Sequence, residues 1–124
     1  MRVVVQRVSR ASVSVDSREI SKIGKGLFVL VGVKAGDTEK EADFLAEKLS
    51  KLRVMSFDSD PRLSSSERPR DKSNKKINFT VSGVKGEFLV VSQFTLYANT
   101  SGGNRPSFLE SARPEVAEPL YEYF

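Results

Sequence analysis

The chain contains no histidine and no cysteine. Together these absences exclude more than any other feature of the composition. A Ser-His-Asp or Cys-His nucleophilic site cannot be built. Zinc sites that depend on His or Cys ligands are excluded as well, and no disulfide framework is possible. Catalysis near neutral pH must therefore use carboxylates, lysines, hydroxyls, backbone amides or groups carried by the substrate. Long apolar runs are also missing. No stretch approaches the roughly 20 residues of a membrane span. The opening residues, Met1 to Arg7, have a short strand pattern without the apolar length or cleavage site of a signal peptide. A cytoplasmic protein with no membrane association is expected, and no cofactor or metal site is predicted.

The 124 residues suffice for one domain with one modest core. Hydrophobic residues make up 39% and charged residues 29%, ordinary values for a globular protein. The net charge is +4 and the sequence pI is near 9.5. That balance favours a polyanionic partner, although a basic surface with no such partner has the same composition.

Val3, Val5 and Arg7 share one face of a first strand, and a buried arginine on such a strand needs acceptors. Ala11, Val13 and Val15 alternate with Ser12, Ser14 and Asp16 as a half-buried strand. A turn at 16–18 leads into a returning strand at 19–23. The nearly continuous apolar run 27–33 predicts a central strand covered on both faces. Thr38 followed by Glu41 is a capping-box pattern. Ala42, Leu45, Ala46, Leu49 and Leu52 then recur at helical spacing. Short strands are expected at 53–57 and 78–82 and a longer one at 87–97. Pro114 suits the first turn of a last helix, with Val116, Ala117, Leu120, Tyr121 and Phe124 as its apolar stripe. Pro119 falls inside that helix, where it removes a backbone hydrogen bond. Residues 58–76 are too polar to bury and are expected to form a mobile, basic insertion. The element order predicts a mixed α/β single domain over 1–124, with a curved, barrel-like sheet and helices packed on one side.

The most informative segment runs from Val90 through Ser92-Gln93-Phe94-Thr95-Leu96 to Asn99. It continues through Gly102-Gly103 into Arg105-Pro106-Ser107-Phe108. It reads as a buried strand surfacing into a glycine-rich basic loop. Polar groups on a buried strand are costly unless paired. Ordinary strand hydrogen bonding is one account of Ser92 and Thr95, and a site is the other. Arg105 and Arg113 precede prolines on loops and suit either phosphate contact or a solvated surface.

Ser-Gln-Phe-Thr-Leu followed by a glycine-rich loop and Arg-Pro-Ser-Phe resembles the D-aminoacyl-tRNA deacylases. The opening Arg2-Val3-Val4-Val5-Gln6-Arg7-Val8, the strand 26–33 and Asp37-Thr38 extend the resemblance over most of the chain. It implies a deacylase-like fold, a homodimer, and hydrolysis of the ester of D-aminoacyl-tRNA. The candidate catalytic residues it implies are Ser92, Gln93, Phe94 and Thr95, with the Phe94 N–H donating to the substrate carbonyl and Thr95 beside the scissile bond. The candidate substrate-binding residues are Arg7, Arg105, Pro106 and Phe108. Arg7 matches an arginine that orients a second motif, Asn-x-Gly-Pro-x-Thr, whose Gly-cis-Pro pair rejects L-amino acids across the dimer. This chain has no Gly-Pro pair, so it is expected to be C-terminally incomplete relative to the family. A threonine hydroxyl without a base is a weak nucleophile. Main-chain oxyanion stabilisation, assisted by the substrate 2′-hydroxyl or a positioned water, is therefore the expected mechanism. Two alternatives are a non-catalytic nucleic-acid-binding module and an editing domain related to that of archaeal threonyl-tRNA synthetases. The binding module calls for exposed aromatics, and the Phe and Tyr residues fall mostly on core-like positions.

Overall fold

A computed structural model describes residues 1–56, 66 and 77–124. Its elements are β1 (Arg2–Val8), β2 (Ala11–Val15), β3 (Arg18–Ile23), β4 (Gly26–Gly32), α1 (Glu39–Lys51), β5 (Glu87–Ser92) and α2 (Pro114–Tyr123). Short 3-10 turns occupy Ser82–Val84 and Phe94–Tyr97. The architecture is mixed α/β. β1, β4 and β5 form a three-stranded sheet in the order β1-β4-β5, and β2 and β3 form a separate antiparallel hairpin. The expected barrel is not closed among the described residues. The expected insertion at 58–76 lies outside them, apart from Ser66.

The chain divides into two compact units. One comprises Met1–Val5, Val29–Leu49 and Val90–Phe124; the other comprises Gln6–Phe28 and Ser50–Leu89. In the first unit, the apolar run of β4 does what its composition predicts. Val29 and Val31 are fully buried, and the strand is the central one of its sheet. Val33, Ala42 and Leu120 form a cluster that joins both helices, with Met1, Ala112, Ala117 and Phe124 packed against it. Burying a leucine of this kind contributes about 1.5–3 kcal/mol. Tyr121 donates to the Val90 carbonyl at 2.9 Å and Tyr123 donates to Asp43 Oδ1 at 2.9 Å. The second bond raises the Tyr123 pKa, because losing the proton forfeits the bond. α2 begins at Pro114 as expected. Pro119 lies on an exposed position, so the Glu115 carbonyl it leaves without a helical donor is open to solvent.

α1 starts with a modified capping box. The Thr38 N–H donates to Glu41 Oε2 at 2.7 Å, and the Thr38 hydroxyl donates to the same oxygen at 2.8 Å. The Glu41 N–H bonds to the Thr38 carbonyl instead of its hydroxyl. Hydrogen bonds from Thr38, first from its side chain and then from its backbone, hold the Glu41 pKa below the usual range. A depressed carboxylate stabilises the fold above its unfolded pKa, and that contribution is lost as pH falls through the lower folded value. Thr38→Ala is expected to lower the melting temperature by about 4 °C at neutral pH. The gap to the parent chain should close as pH falls below the ordinary glutamate range. Thermal melts of both chains between pH 3 and 7 test this, and a gap independent of pH would refute the carboxylate's part in it.

In the second unit, the β2–β3 hairpin turns at Asp16 and Ser17, both at positive φ (51° and 62°), the twist that suits a tight hairpin. A bulge after Val13 leaves Ile20 out of the pairing. Leu27, Met55, Val81, Val84 and Leu89 are buried here. The strands expected at 53–57 and 78–82 reduce to a single antiparallel bridge between Met55 and Phe79, and Phe57 lies outside the described residues. Isolated pairing of this kind reflects one buried side chain, Met55, instead of a period-2 face. No helix among the described residues is long and apolar enough to cross a membrane.

Candidate active site

The segment 87–97 is not one buried strand. β5 ends at Ser92, Gln93 is extended (φ −148°, ψ 96°), and Phe94–Tyr97 wind into a 3-10 turn. The reason is local to the neighbouring strand. The Gln93 N–H donates to the Val31 carbonyl at 2.8 Å, continuing the pairing with β4 for one residue. The chain then folds over Gly32. A Cβ at Gly32 would lie 3.0 Å from the Leu96 Cβ, 3.2 Å from the Gln93 carbonyl oxygen and 3.3 Å from Tyr97. Glycine thus permits the close approach of the turn.

This geometry corrects the expected burial. Ser92 and Thr95 are exposed, Gln93 is half-buried and the Phe94 side chain is 57% exposed. Within the turn Tyr97 is the buried residue. The polar trio therefore stands at an open edge and needs no buried partner. Gln93 Nε2 donates to Thr95 Oγ1. The Ser111 hydroxyl donates to the Phe94 carbonyl at 2.8 Å. Among the described residues the N–H groups of Phe94 and Thr95 have no backbone acceptor, as expected for the opening residues of a 3-10 turn. The edge thus presents two adjacent unused donors next to a hydroxyl.

The Phe94 and Phe108 rings meet edge to face, with centroids 5.3 Å apart at 69°. Phe94, Phe108, Phe44, Phe88 and Tyr123 are exposed, which corrects the reading of the aromatics as mostly core. Arg105 and Pro106 lie in an exposed loop closed by reciprocal 2.8 Å bonds between Asn99 and Ser107. Ser92, Gln93, Phe94, Thr95 and Phe108 are brought together. Arg105 and Pro106 follow on the same loop without a bond to that edge. Arg7 belongs to the other unit. It is exposed, not buried as its strand position suggested, and donates to the Val54 carbonyl at 3.3 Å.

Three residues of the site escaped sequence reasoning. Arg2 donates to the Leu96 carbonyl and lies over the Tyr97 ring, 4.6 Å from its centroid. Ser111 holds the Phe94 carbonyl. Gly32 provides the space, and it was the only one of the three with a signal, a glycine inside an apolar strand. The chemistry available follows from these partners. Gln93 is an amide and cannot accept a proton from Thr95 near neutral pH in either orientation. Burial, and secondarily the charge of Asp37, pushes the Tyr97 phenol up, so it stays protonated and is no base either. Among the described residues no three His, Cys, Asp or Glu side chains gather as a possible metal site.

Residues 4–124 match the family model described as D-Tyr-tRNA(Tyr) deacylase. The chain belongs to the D-Tyr-tRNA(Tyr) deacylase family. Among the relatives of this family, the D-aminoacyl-tRNA deacylase of Roseiflexus castenholzii is 49% identical, aligned over all of this chain and 69% of its own. That of Carboxydothermus hydrogenoformans is 46% identical, over all of this chain and 75% of its own. The solved structure of a c-Myc DNA unwinding element binding protein superposes with a TM-score of 0.81 at 38% identity, covering 98% of this chain and 72% of that one. A probable eukaryotic D-amino acid tRNA deacylase superposes at 0.73 with 15% identity, covering 98% and 62%, a likeness of fold alone.

Proposed function

We propose that this deacylase-family chain hydrolyses the ester of D-aminoacyl-tRNA, releasing the D-amino acid and tRNA. The observation that carries the reading is the open Phe94–Thr95 edge, which among the described residues has two unused amide donors and a hydroxyl with no base beside it. Such an edge suits an activated ester, whose cleavage needs oxyanion stabilisation more than a strong nucleophile. The Phe94 N–H, helped by that of Thr95, receives the developing oxyanion. The substrate 2′-hydroxyl or a water held there attacks. Phe94 and Phe108 border the edge, and Arg105 on the adjoining loop faces the phosphates of the acceptor end. Residues 1–124 act as one deacylase-like domain, in a cytoplasmic homodimer.

The test is hydrolysis of matched D- and L-aminoacyl-tRNA by the purified protein, with its intact mass and oligomeric state measured on the same sample. D-selective hydrolysis supports the reading. tRNA binding without hydrolysis of either ester refutes it and favours a binding module. Thr95→Ala is expected to keep activity within about tenfold of the parent, since an unactivated hydroxyl contributes little as a nucleophile. A trapped acyl-Thr95 intermediate would refute that expectation.

A further inference from the structure

The 3-10 turn that carries the Phe94–Thr95 edge has an incomplete C-terminal end. The Leu96 carbonyl would accept from Asn99 if the turn continued, but the Asn99 N–H donates to Ser107 at 2.8 Å instead. Arg2 supplies the missing donor. Its guanidinium also lies on the Tyr97 ring, 4.6 Å from the centroid, and Tyr97 is among the buried residues of this unit. A cation at the carbonyl end of a turn satisfies orphan acceptors and opposes its dipole. A guanidinium does this while stacking on an aromatic face, which an ammonium does less well. The start of the chain is itself held, because the Met1 amine pairs with Asp37. Asp37 also accepts the Lys34 N–H at 2.6 Å. The opposite end of the turn is pinned by Ser111 through the Phe94 carbonyl. Arg2 is thus the fixed contact at one end of a four-residue turn whose other end presents the amide donors.

We infer that Arg2 is a positioning residue for the reaction: by capping the Leu96 carbonyl and clamping Tyr97 it sets the direction of the Phe94 and Thr95 amides. It touches no reacting atom. The inference rests on the hydrolytic reading of this edge. It goes beyond that reading by assigning a role to a residue 92–93 positions away in sequence.

The experiment compares the parent chain with Arg2→Met, which keeps the stem length but removes charge and donors, and with Arg2→Lys. Two readouts are taken: single-turnover hydrolysis of D-aminoacyl-tRNA across enzyme concentrations, and the backbone amide NMR signals of Phe94 and Thr95. For Arg2→Met we expect the saturating rate to fall about tenfold, as small misplacements at a reacting centre do. The half-saturating concentration should stay within about twofold, because the lost contact is not to substrate. The two amide signals should shift while those of the β2–β3 hairpin stay in place. Arg2→Lys should bring the rate to within about threefold of the parent, with the amide signals returning toward their parent positions. A change in half-saturation alone would assign Arg2 to general tRNA attraction and overturn the inference. So would unchanged rate and signals in Arg2→Met, or a rate that moves without the signals in either variant. Should Arg2→Met fail to fold, Arg2→Lys carries the test by the same rule, that rate and signals follow one another. A parent chain that hydrolyses no aminoacyl-tRNA refutes the proposed function instead, and the amide signals still decide whether Arg2 holds this edge.

Discussion

Phe94→Pro is expected to lower the rate of D-aminoacyl-tRNA hydrolysis by about 10²–10³ relative to Phe94→Ala, the usual effect of deleting one oxyanion donor. Proline removes the N–H itself, and here the backbone is prepared for it. Residue 94 opens the 3-10 turn, a position whose φ proline matches and whose N–H the turn does not use. Gln93 before it is already extended, the conformation a following proline demands. No backbone bond among the described residues is lost, since the Phe94 N–H has no backbone acceptor there. The Ser111 bond to the Phe94 carbonyl does not depend on the side chain. Alanine is the right reference because both variants lose the edge-to-face contact with Phe108, so the difference between them isolates the amide. Steady-state kcat and KM for both variants, with unfolding midpoints to confirm the fold, decide the matter. If Phe94→Pro is native in fold and within about tenfold of Phe94→Ala, the amide is not the main oxyanion donor.

That prediction and the mild effect expected of Thr95→Ala constrain each other. A nucleophilic Thr95 would reverse their order, because loss of the attacking atom costs more than loss of a stabilising donor. The partners found around Thr95 argue for the order given. Its hydroxyl oxygen accepts from the Gln93 amide, which lowers its electron density instead of drawing off its proton. The exposure of the site also matters. A dipole facing water is worth less than one facing a dry cavity. The edge therefore reaches full effect only when substrate or another surface excludes water from it. A homodimer, as proposed, supplies one such surface.

The parts of the fold that were legible in the sequence share one property: their pattern reports burial on a regular element. The apolar run of β4, the 3.6-residue spacing of Ala42, Leu45 and Leu49 and Pro114 at a helix start behave in the structure as their spacing implies, and the Thr38–Glu41 cap forms one of its two expected bonds. The segment around the site was legible in residue identity but not in conformation. Phe94, Leu96 and Tyr97 continue an apolar pattern that a strand would satisfy. The turn they form is met by Arg2, Gly32 and Ser111, contacts that no local window contains. The same holds for Met55 and Phe79, which pair although they lie 24 positions apart and carry only one bridge where strands were expected. Arg7 shows the opposite error. A strand position suggested burial, but the alternation of β1 ends before it, and its guanidinium reaches outward to the Val54 carbonyl. Tertiary contacts override local propensity most readily in short segments with few regular neighbours.

Gly26→Ala should be the most destabilising single-methyl change among the described glycines. Gly26 opens β4 beside the first residue of β5, and the two backbones lie in direct contact. A Cβ there would fall 1.9 Å from the Glu87 carbonyl oxygen and 2.8 Å from both the Glu87 carbonyl carbon and the Glu87 nitrogen. All three atoms are backbone, so no side-chain rotation relieves the overlap. Nor can Glu87 withdraw freely. Its N–H donates to the Lys25 carbonyl at 3.1 Å, and its carboxylate accepts the Gly24 N–H at 3.0 Å. Relief therefore requires β4 and β5 to part where Leu27 and Leu89 are buried. Overpacking of this kind costs about 3 kcal/mol, which for a chain of this length lowers the melting temperature by roughly 10 °C. Gly32→Ala makes a useful comparison. Its nearest contacts, 3.0–3.3 Å, are looser and include two side chains, so it should lose less stability. Because those contacts are with Gln93, Leu96 and Tyr97, its cost should fall instead on the geometry of the edge, and so on the hydrolytic rate. Calorimetric melts and single-turnover rates for the two variants separate the roles. Equal melting temperatures for Gly26→Ala and the parent would mean that the close approach of β4 and β5 is not maintained in solution.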